Sequence, residues 1–243
     1  MTDPASFRSQ LVRSEVVAEG TMAFHFVKPE GFEFRPGQAI DVTLIDPPET
    51  DGEGNTRTFS IASAPFEGDL MVATRMRDTA FKRVLGKASA GLNVKIDGPS
   101  GSLVLRRRTD RPVVFLAGGI GITPFRSIIR QATKEKTAHQ LWLFYSNRRP
   151  EDAPFLDLFV GCTKDNPRFH FIATMTQIEK SQRNWTGGTG FVTRSMLAQY
   201  LPAIQGPVYY LAGPPAMVAA MRHVLADAEV DEDDIRTEEF SGY

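Results

Sequence analysis

Two patterns of hydrophobic positions divide the chain. Up to about residue 100, the apolar residues form short segments that glycine, proline and acidic residues separate. Many short strands with frequent turns are typical of an antiparallel barrel. After that point, apolar strands alternate with amphipathic stretches, which predicts a parallel, doubly wound α/β sheet. We therefore expect two domains, residues 1–108 and residues 109–243.

The individual elements follow from the same patterns. Met22, Phe24 and Phe26 mark one face of the first predicted strand, with His25 on the other face. The other strands of the first part are predicted at residues 37–44, 57–63, 70–74 and 92–96, with a helix at 79–87. In the second part, strands are predicted at residues 113–117, 140–146, 169–174 and 208–212, helices at 124–133, 151–159, 193–200 and 214–226, and a last strand after the acidic run at 231–234.

A glycine-rich turn follows the first strand of the second part, where residues 115–125 read FLAGGIGITPF. Glycine lets the backbone turn sharply and approach a ligand closely. The helix after the turn presents free N–H groups to a phosphate, and Pro124 suits its first turn. The segment predicts a dinucleotide site, although it departs from the strict G-x-G-x-x-G pattern, and a tight structural turn is the alternative.

Four motifs resemble, in order and spacing, those of the ferredoxin–NADP reductase superfamily. They read RTFS at residues 57–60, GPSG at 98–101, GGIGITP at 118–124 and AGPPAM at 212–217, and an aromatic residue, Phe240, lies near the end of the chain. The resemblance implies a flavin-binding antiparallel β-barrel followed by a nucleotide-binding α/β domain. It also implies an NAD(P)H-dependent flavin oxidoreductase.

The resemblance places the flavin in the first domain. Arg57 is expected to hold the flavin phosphate, Phe59 to stack on the isoalloxazine ring and Ser60 to hydrogen-bond near flavin N5. The other residues that it implies for the flavin are Thr58, Thr74, Arg75, Met76 and Lys82. A glycine that relatives carry before the following helix is absent, and Lys82 stands about where they have Ser or Thr. The implied flavin is FAD, with FMN as the alternative.

The nucleotide-binding domain is expected to take NAD(P)H as substrate. The residues implied for it are Gly118, Gly119, Gly121, Thr123, Pro124, Gly213, Pro214 and Met217. Asn147 and Arg148 follow the second strand of this domain, where an arginine suits a 2′-phosphate. The Ser-Arg pair that some NADPH-dependent relatives carry after the third strand is replaced by Thr-Met-Thr at residues 174–176, so the choice between NADH and NADPH stays open.

The end of the chain supplies the remaining candidates. Phe240 is expected to cover one face of the flavin and to move aside when the nicotinamide binds, with Tyr243 as a second candidate. Glu239 is a candidate for placing the nicotinamide, and a solvated carboxylate is the alternative. Ser60, Phe240 and Glu239 are therefore the predicted catalytic residues.

The amino-acid composition limits the kinds of ligand and partner that we expect. A formal charge of −1 over 243 residues provides no basic field for nucleic acid. The single cysteine, Cys162, excludes an internal disulfide and a four-cysteine iron–sulfur cluster. The resemblance then implies a separate electron acceptor, such as ferredoxin or another iron–sulfur protein. The four histidines have no metal-binding spacing.

No apolar run approaches the roughly 20 residues that a membrane span needs, and the first residues do not resemble a signal peptide. We therefore expect a soluble, cytoplasmic monomer or homodimer with no membrane partner. Two alternative functions stay open. One is a reductase of free flavin or ferric chelates. The other is a non-catalytic redox- or nucleotide-sensing subunit of a larger complex, which Ala212 favours because relatives carry a cysteine there.

Overall fold

The computed structural model describes residues 5–240, which form two six-stranded sheets. The first sheet is antiparallel, in the order β4-β3-β6-β1-β2-β5. Its strands are β1 (Ser6–Ala18), β2 (Thr21–Val27), β3 (Ala39–Leu44), β4 (Thr56–Ser60), β5 (Asp69–Arg75) and β6 (Asn93–Ser100). Just beyond β4, the Ala62 N–H donates to the Met71 carbonyl of β5 at 2.7 Å. The two edges of the sheet therefore approach each other, and the sheet curls into a half-barrel.

The curled sheet encloses an apolar core. Phe24 and Phe26 of β2 are fully buried there, as their alternate positions predict. Helix α1 (Ala80–Lys87) adds Phe81 to the same core, and Thr79 caps the helix by accepting a hydrogen bond from the Lys82 N–H. Each large side chain buried in this way stabilises the fold by about 1.5–3 kcal/mol.

The second sheet is parallel, in the order β10-β9-β8-β7-β11-β12. Its strands are β7 (Val113–Gly118), β8 (Leu141–Asn147), β9 (Phe169–Met175), β10 (Gly188–Thr189), β11 (Val208–Gly213) and β12 (Ile235–Glu239). The helices are α2 (Ile122–Glu135), α3 (Leu156–Asp165), α4 (Arg194–Tyr200) and α5 (Pro215–Ala226). The strand order reverses between β7 and β11, and open α/β sheets bind their ligands at the carboxyl ends of the strands at such a point.

Apolar cores cover both faces of the parallel sheet. Phe115 and Tyr210 pack on one face, and their chain neighbours Leu116 and Tyr209 pack on the other. Strands buried on both faces are expected to be continuously apolar, as β7 and β11 are. Within residues 5–240, none of the helices has both the length and the hydrophobicity needed to cross a bilayer.

Three elements differ from the sequence prediction, and one of them is the two-residue strand β10, which was not predicted. Strand β1 was not predicted, because many of its residues are exposed and its apolar alternation is short. The predicted helix at 151–159 begins only at Leu156, after a short 3₁₀ turn at Pro150–Asp152. Phe155 lies between them with a φ of 66°, a left-handed conformation that interrupts a right-handed helix.

The loop between β4 and β5 contacts helix α2 and so connects the half-barrel with the second part of the chain. Glu67 in this loop accepts a hydrogen bond from the Arg126 guanidinium of α2 at 2.8 Å, and the Ser127 hydroxyl donates to the Ser63 carbonyl at 2.6 Å. Burial alone would raise the pKa of Glu67, but its hydrogen bonds with Arg126 hold the pKa below the ordinary value. The position of the domain boundary, near residue 108, stays a prediction.

Candidate functional site

A cavity of about 440 Å³ lies between the half-barrel and the start of α2. It brings together the ends of β4 and β5, helix α1 and Phe240, which follows β12. Its lining residues are Glu53, Arg57, Thr58, Phe59, Ser60, Ala73, Thr74, Arg75, Arg77, Thr79, Lys82, Ile120, Thr123 and Phe240. We call this the first cavity. It collects most of the residues predicted for the flavin, together with Thr123 and Phe240 from the nucleotide-binding half.

Positive charge dominates the first cavity. Among its described lining residues, Arg57, Arg75, Arg77 and Lys82 are cationic, and Glu53 is the acidic residue. Burial lowers the pKa of Lys82, and the nearby charges of Arg77 and Arg57 lower it further. An anion such as a diphosphate would relieve this repulsion, because guanidinium and ammonium groups donate charge-assisted hydrogen bonds to phosphate oxygens.

Arg57 is held tightly by its own loop. Its Nη1 donates to the carbonyls of Glu53, Gly54 and Thr56 at 2.9, 3.1 and 2.8 Å, and its Nη2 donates to the Glu53 carboxylate at 2.8 Å. The guanidinium also lies 5.2 Å from the centre of the Phe81 ring. Arg57 thus organises the rim of the first cavity, and its contact with a flavin phosphate stays a prediction.

Ser60 meets an acidic residue that the sequence prediction missed. The Ser60 hydroxyl donates to Glu238 Oε1 at 3.1 Å. Burial raises the pKa of Glu238, although the hydrogen bond from Ser60 opposes that rise. The pair joins the end of β4 to β12 and therefore connects the two sheets beside the cavity.

Glu239, which the sequence singles out for placing the nicotinamide, is not the carboxylate that bonds to Ser60, and its role stays a prediction. Glu239 is exposed, whereas Glu238 shares the orientation of Phe240 because side chains alternate along a strand. The sequence contained a signal for Glu238, because a residue two positions before Phe240 is expected to lie on the same face of the strand as Phe240. Phe240 itself is held by its N–H, which donates to the Gly213 carbonyl at 3.0 Å. Tyr243 lies outside the described residues.

A second cavity, of about 480 Å³, lies at the carboxyl ends of β7, β8 and β9. It includes six residues predicted for the nucleotide, and an apolar wall from α5 and the segment before α4 that was not predicted. Its lining residues are Arg75, Gly118, Gly119, Ile120, Ser146, Asn147, Arg148, Asp152, Thr176, Phe191, Val192, Pro214, Ala216, Met217, Ala220, Met221 and Val224. Its position matches the expected switch point of the sheet.

The glycine turn serves the second cavity in two ways. Gly119 has a φ of +54°, and a Cβ built there would meet nothing within 4 Å, so its backbone is open to a ligand. Gly121 is instead packed against β11, since a Cβ there would lie 2.2 Å from the Ala212 carbonyl oxygen. The turn thus combines an open backbone at Gly119 with a close contact to β11 at Gly121.

Four predicted binding residues do not line either cavity. Gly121 and Pro124 are buried in the packing of the turn and of α2. Gly213 lies under Met217, and Met76 packs against the barrel core. The positions of these four residues serve packing in this structure, and direct ligand contact at them stays a prediction.

Asn147 is a buried residue of the second cavity whose side chain has no hydrogen-bond partner among the described residues. Both its Nδ2 and its Oδ1 are unpartnered. Leaving a buried polar group unpaired costs about 1–3 kcal/mol. A nucleotide supplies both donors and acceptors through its hydroxyl and phosphate groups, so Asn147 is a candidate contact for a nucleotide in this cavity.

The comparisons with known proteins agree with this arrangement. A model of the oxidoreductase NAD-binding domain family matches residues 115–223. The phenol hydroxylase P5 protein of Acinetobacter pittii is 31% identical over 211 residues, which cover 86% of this chain and 58% of that protein. A component of the Na(+)-translocating NADH-quinone reductase of Methylococcus capsulatus is 34% identical over 156 residues, which cover 63% of this chain and 38% of that protein. The chain spans about half the length of these relatives.

Solved structures share the fold. The cytochrome P450 reductase of Amycolatopsis superposes with a TM-score of 0.82 at 22% identity, covering 98% of this chain and 71% of that chain. The ferredoxin NADP+ reductase of Neisseria gonorrhoeae, with bound FAD and NADP, gives a TM-score of 0.78 at 21% identity, covering 96% and 98%. The predicted fold class, a flavin-type antiparallel barrel with a doubly wound nucleotide-binding sheet, is confirmed.

Proposed function

Because the chain belongs to the ferredoxin–NADP reductase superfamily, we propose that it is a flavoprotein oxidoreductase that takes a hydride from NAD(P)H and delivers electrons to a separate acceptor. FAD occupies the first cavity, and the pyridine nucleotide occupies the second. The match to the oxidoreductase NAD-binding domain family, and the FAD and NADP bound in the similar structure from Neisseria gonorrhoeae, support this choice of cofactors. The observation that carries the proposal is the meeting of Ser60, Phe240 and Thr123 at one cavity that adjoins the glycine turn.

The residues present fit a flavin dinucleotide. Phe59 and Phe240 offer aromatic faces for the ring system, and the cationic residues of the first cavity suit its diphosphate. The bound flavin supplies the ability to accept a hydride from a reduced nicotinamide and to release the electrons singly.

The protein's own contribution is positioning. Phe240 is fixed through its backbone to Gly213, and it supplies an aromatic side chain to the first cavity. The hydroxyl of Ser60 is oriented by Glu238, which accepts its hydrogen bond. A fixed hydroxyl beside the reacting ring can favour one orientation of the substrates, because hydride transfer depends on alignment.

The second cavity holds the nucleotide by complementary groups. The Gly119 backbone is open for close contact with a phosphate, and Asn147 offers an unpaired donor and acceptor. Apolar residues such as Val192, Ala220 and Met221 provide a wall for a base. Arg148 is exposed at the edge of this cavity. The proposal leaves both NADH and NADPH as coenzymes to be tested.

We extend the proposal to the acceptor, which is a ferredoxin or another iron–sulfur protein. Similar chains are named as a cytochrome P450 reductase and a ferredoxin NADP+ reductase, and each name pairs the reductase with a separate redox protein, a haem protein in the first name and an iron–sulfur protein in the second. A cytoplasmic location remains part of this proposal.

A comparison of acceptors tests this part of the function. The purified, FAD-loaded protein is supplied with NADH or NADPH and, in parallel, with a ferredoxin, free FMN or a ferric chelate. We expect the highest kcat/KM with the iron–sulfur protein. Higher efficiency with free FMN or the ferric chelate would instead assign the chain as a reductase of those small molecules. Reduction of bound FAD with no turnover on any acceptor would favour a subunit of a larger complex.

A further inference from the structure

Arg75 lies at the junction of the two cavities. It lines both of them, as does Ile120 of the glycine turn. Its backbone at the end of β5 is well fixed, because its carbonyl accepts a hydrogen bond from Lys82 Nζ at 2.7 Å and the next N–H, that of Met76, donates to the Gly20 carbonyl at 2.8 Å. The position from which the side chain extends is therefore defined before any ligand binds.

The Arg75 guanidinium is held only loosely. Its Nη2 lies 3.7 Å from Oδ1 of Asp152, which is beyond hydrogen-bond distance. Asp152 is already paired with Arg149, whose Nε and Nη2 each donate to it at 2.9 Å. Arg149 is fixed in turn by Glu19, at 2.9 Å. Among the described residues, Arg75 therefore has a nearby counter-charge and no side-chain hydrogen bond.

The other cations of the site differ from Arg75. Arg57 is bonded to three carbonyls and a carboxylate of its own loop, and Lys82 donates to Arg75 itself. Arg77 lines only the first cavity and Arg148 only the second. Arg75 is thus the cationic residue common to both cavities within residues 5–240.

We propose that Arg75 binds phosphate groups of both dinucleotides, the flavin in the first cavity and the pyridine nucleotide in the second. The inference rests on the proposed function. A guanidinium has five N–H donors in a planar fork, so it can face two anions at once. The weak contact with Asp152 keeps the fork between the cavities and is readily exchanged for phosphate oxygens. Arg75 then aligns the two ligands through one side chain.

Variants in which one arginine is replaced by the uncharged glutamine test the inference, with ligand affinity as the only measurement. Affinities are measured for FAD with the flavin-free protein, and for NAD+ and NADP+ with the protein kept saturated in FAD. We expect Arg75→Gln to weaken FAD and the preferred oxidised coenzyme, each by roughly tenfold to a hundredfold. Arg77→Gln should weaken FAD alone, and Arg148→Gln should weaken the coenzyme alone.

The possible results distinguish a failure of the shared role of Arg75 from a failure of the proposed function. Loss of affinity for only one ligand in Arg75→Gln, with both ligands bound by the unmodified protein, would overturn the shared role and leave the proposed function intact. An unmodified protein that binds neither FAD nor a coenzyme would overturn both. Arg75→Lys provides a second variant should Arg75→Gln fail to fold, and it should weaken both ligands by a smaller factor, since it keeps the charge and loses the fork.

Discussion

Ser60 and Glu238 are hydrogen-bonded to each other although 178 positions separate them in the sequence. Ser60 ends a strand of the half-barrel, and Glu238 lies in the edge strand of the parallel sheet. The contact therefore depends on the relative placement of both sheets. It also fixes a serine that lines the cavity we assign to the flavin.

Replacing Glu238 should slow the reduction of the bound flavin. Glu238→Gln keeps the size of the side chain but removes its charge, so the Ser60 hydroxyl is held by a weaker acceptor. We expect the limiting rate of flavin reduction by the preferred coenzyme to fall about tenfold or more, in the range of single positioning and proton-transfer groups. Stopped-flow absorbance measures this rate.

The neighbouring carboxylate provides the control for this experiment. Glu239 is exposed on the opposite face of the strand, so Glu239→Gln should leave the limiting rate within about twofold, as expected for a solvated surface residue. Equal losses in the two variants would contradict the assignment of Glu238.

Glu238 should also make stability depend on pH. Because burial raises the pKa of Glu238 in the folded state, its protonated form favours folding. That contribution is fully present below the pKa of the unfolded chain and is lost as the pH rises through the higher folded pKa. Between pH 4 and pH 8, the free energy of unfolding of the flavin-free protein should therefore fall relative to that of Glu238→Gln. Parallel pH profiles, measured by urea denaturation, would refute this prediction.

We expect Asn147 to lower the stability of the coenzyme-free protein and to strengthen the binding of the coenzyme. Asn147→Leu removes two unpartnered buried polar atoms and replaces them with an apolar side chain of similar size. We expect the coenzyme-free protein to be more stable by about 1–2 kcal/mol and the coenzyme to bind roughly tenfold more weakly. Thermal unfolding and a coenzyme titration measure the two effects. A stabilised variant with unchanged coenzyme affinity would show that Asn147 does not contact the nucleotide.

Glu67 should hold the two sheets together. Glu67→Gln leaves Arg126, which is itself buried, without its charged partner. Removing one member of a partly buried pair should cost about 1–3 kcal/mol, less than for a fully buried pair. The control is Glu30→Gln at an exposed position, which should change stability by less than about 0.5 kcal/mol.

The pH dependence of this effect has the opposite sign from that of Glu238. The pKa of Glu67 lies below its ordinary value, so its stabilisation is present above the pKa of the unfolded chain and is lost as the pH falls through the folded pKa. The difference in stability between the unmodified protein and Glu67→Gln should therefore shrink in acid. A difference that persisted to the lowest pH would mean that the charge of Glu67 is not what stabilises the interface.

Much of the fold could be predicted from the sequence, because its signals are local. The continuous apolar runs of β7 and β11 and the glycine turn between β7 and α2 each occur within a few residues. Strand β1 was missed because its pairing with β2 and β6 leaves many of its side chains exposed. Nothing in its own residues indicates those partners.

The sequence predicted the parts of the site that lie within recognisable motifs, but it did not predict how the side chains of those motifs are directed. The RTFS segment reaches the first cavity, and Gly118 and Gly119 of the glycine turn reach the second. Met76 and Pro124 pack inward, and motif position alone cannot give that direction. Arg75 was assigned to the flavin from its motif. Its position between both cavities depends on how the half-barrel sits against the parallel sheet, which is a property of the whole fold.

The most direct test of the central claim is anaerobic reduction of the FAD-loaded protein by NADH and by NADPH, followed by absorbance. The proposed function predicts a yellow protein whose flavin absorbance bleaches on mixing with at least one coenzyme and returns when an electron acceptor is added. A protein that binds FAD and neither coenzyme, or whose bound flavin keeps its colour with both, would contradict the claim.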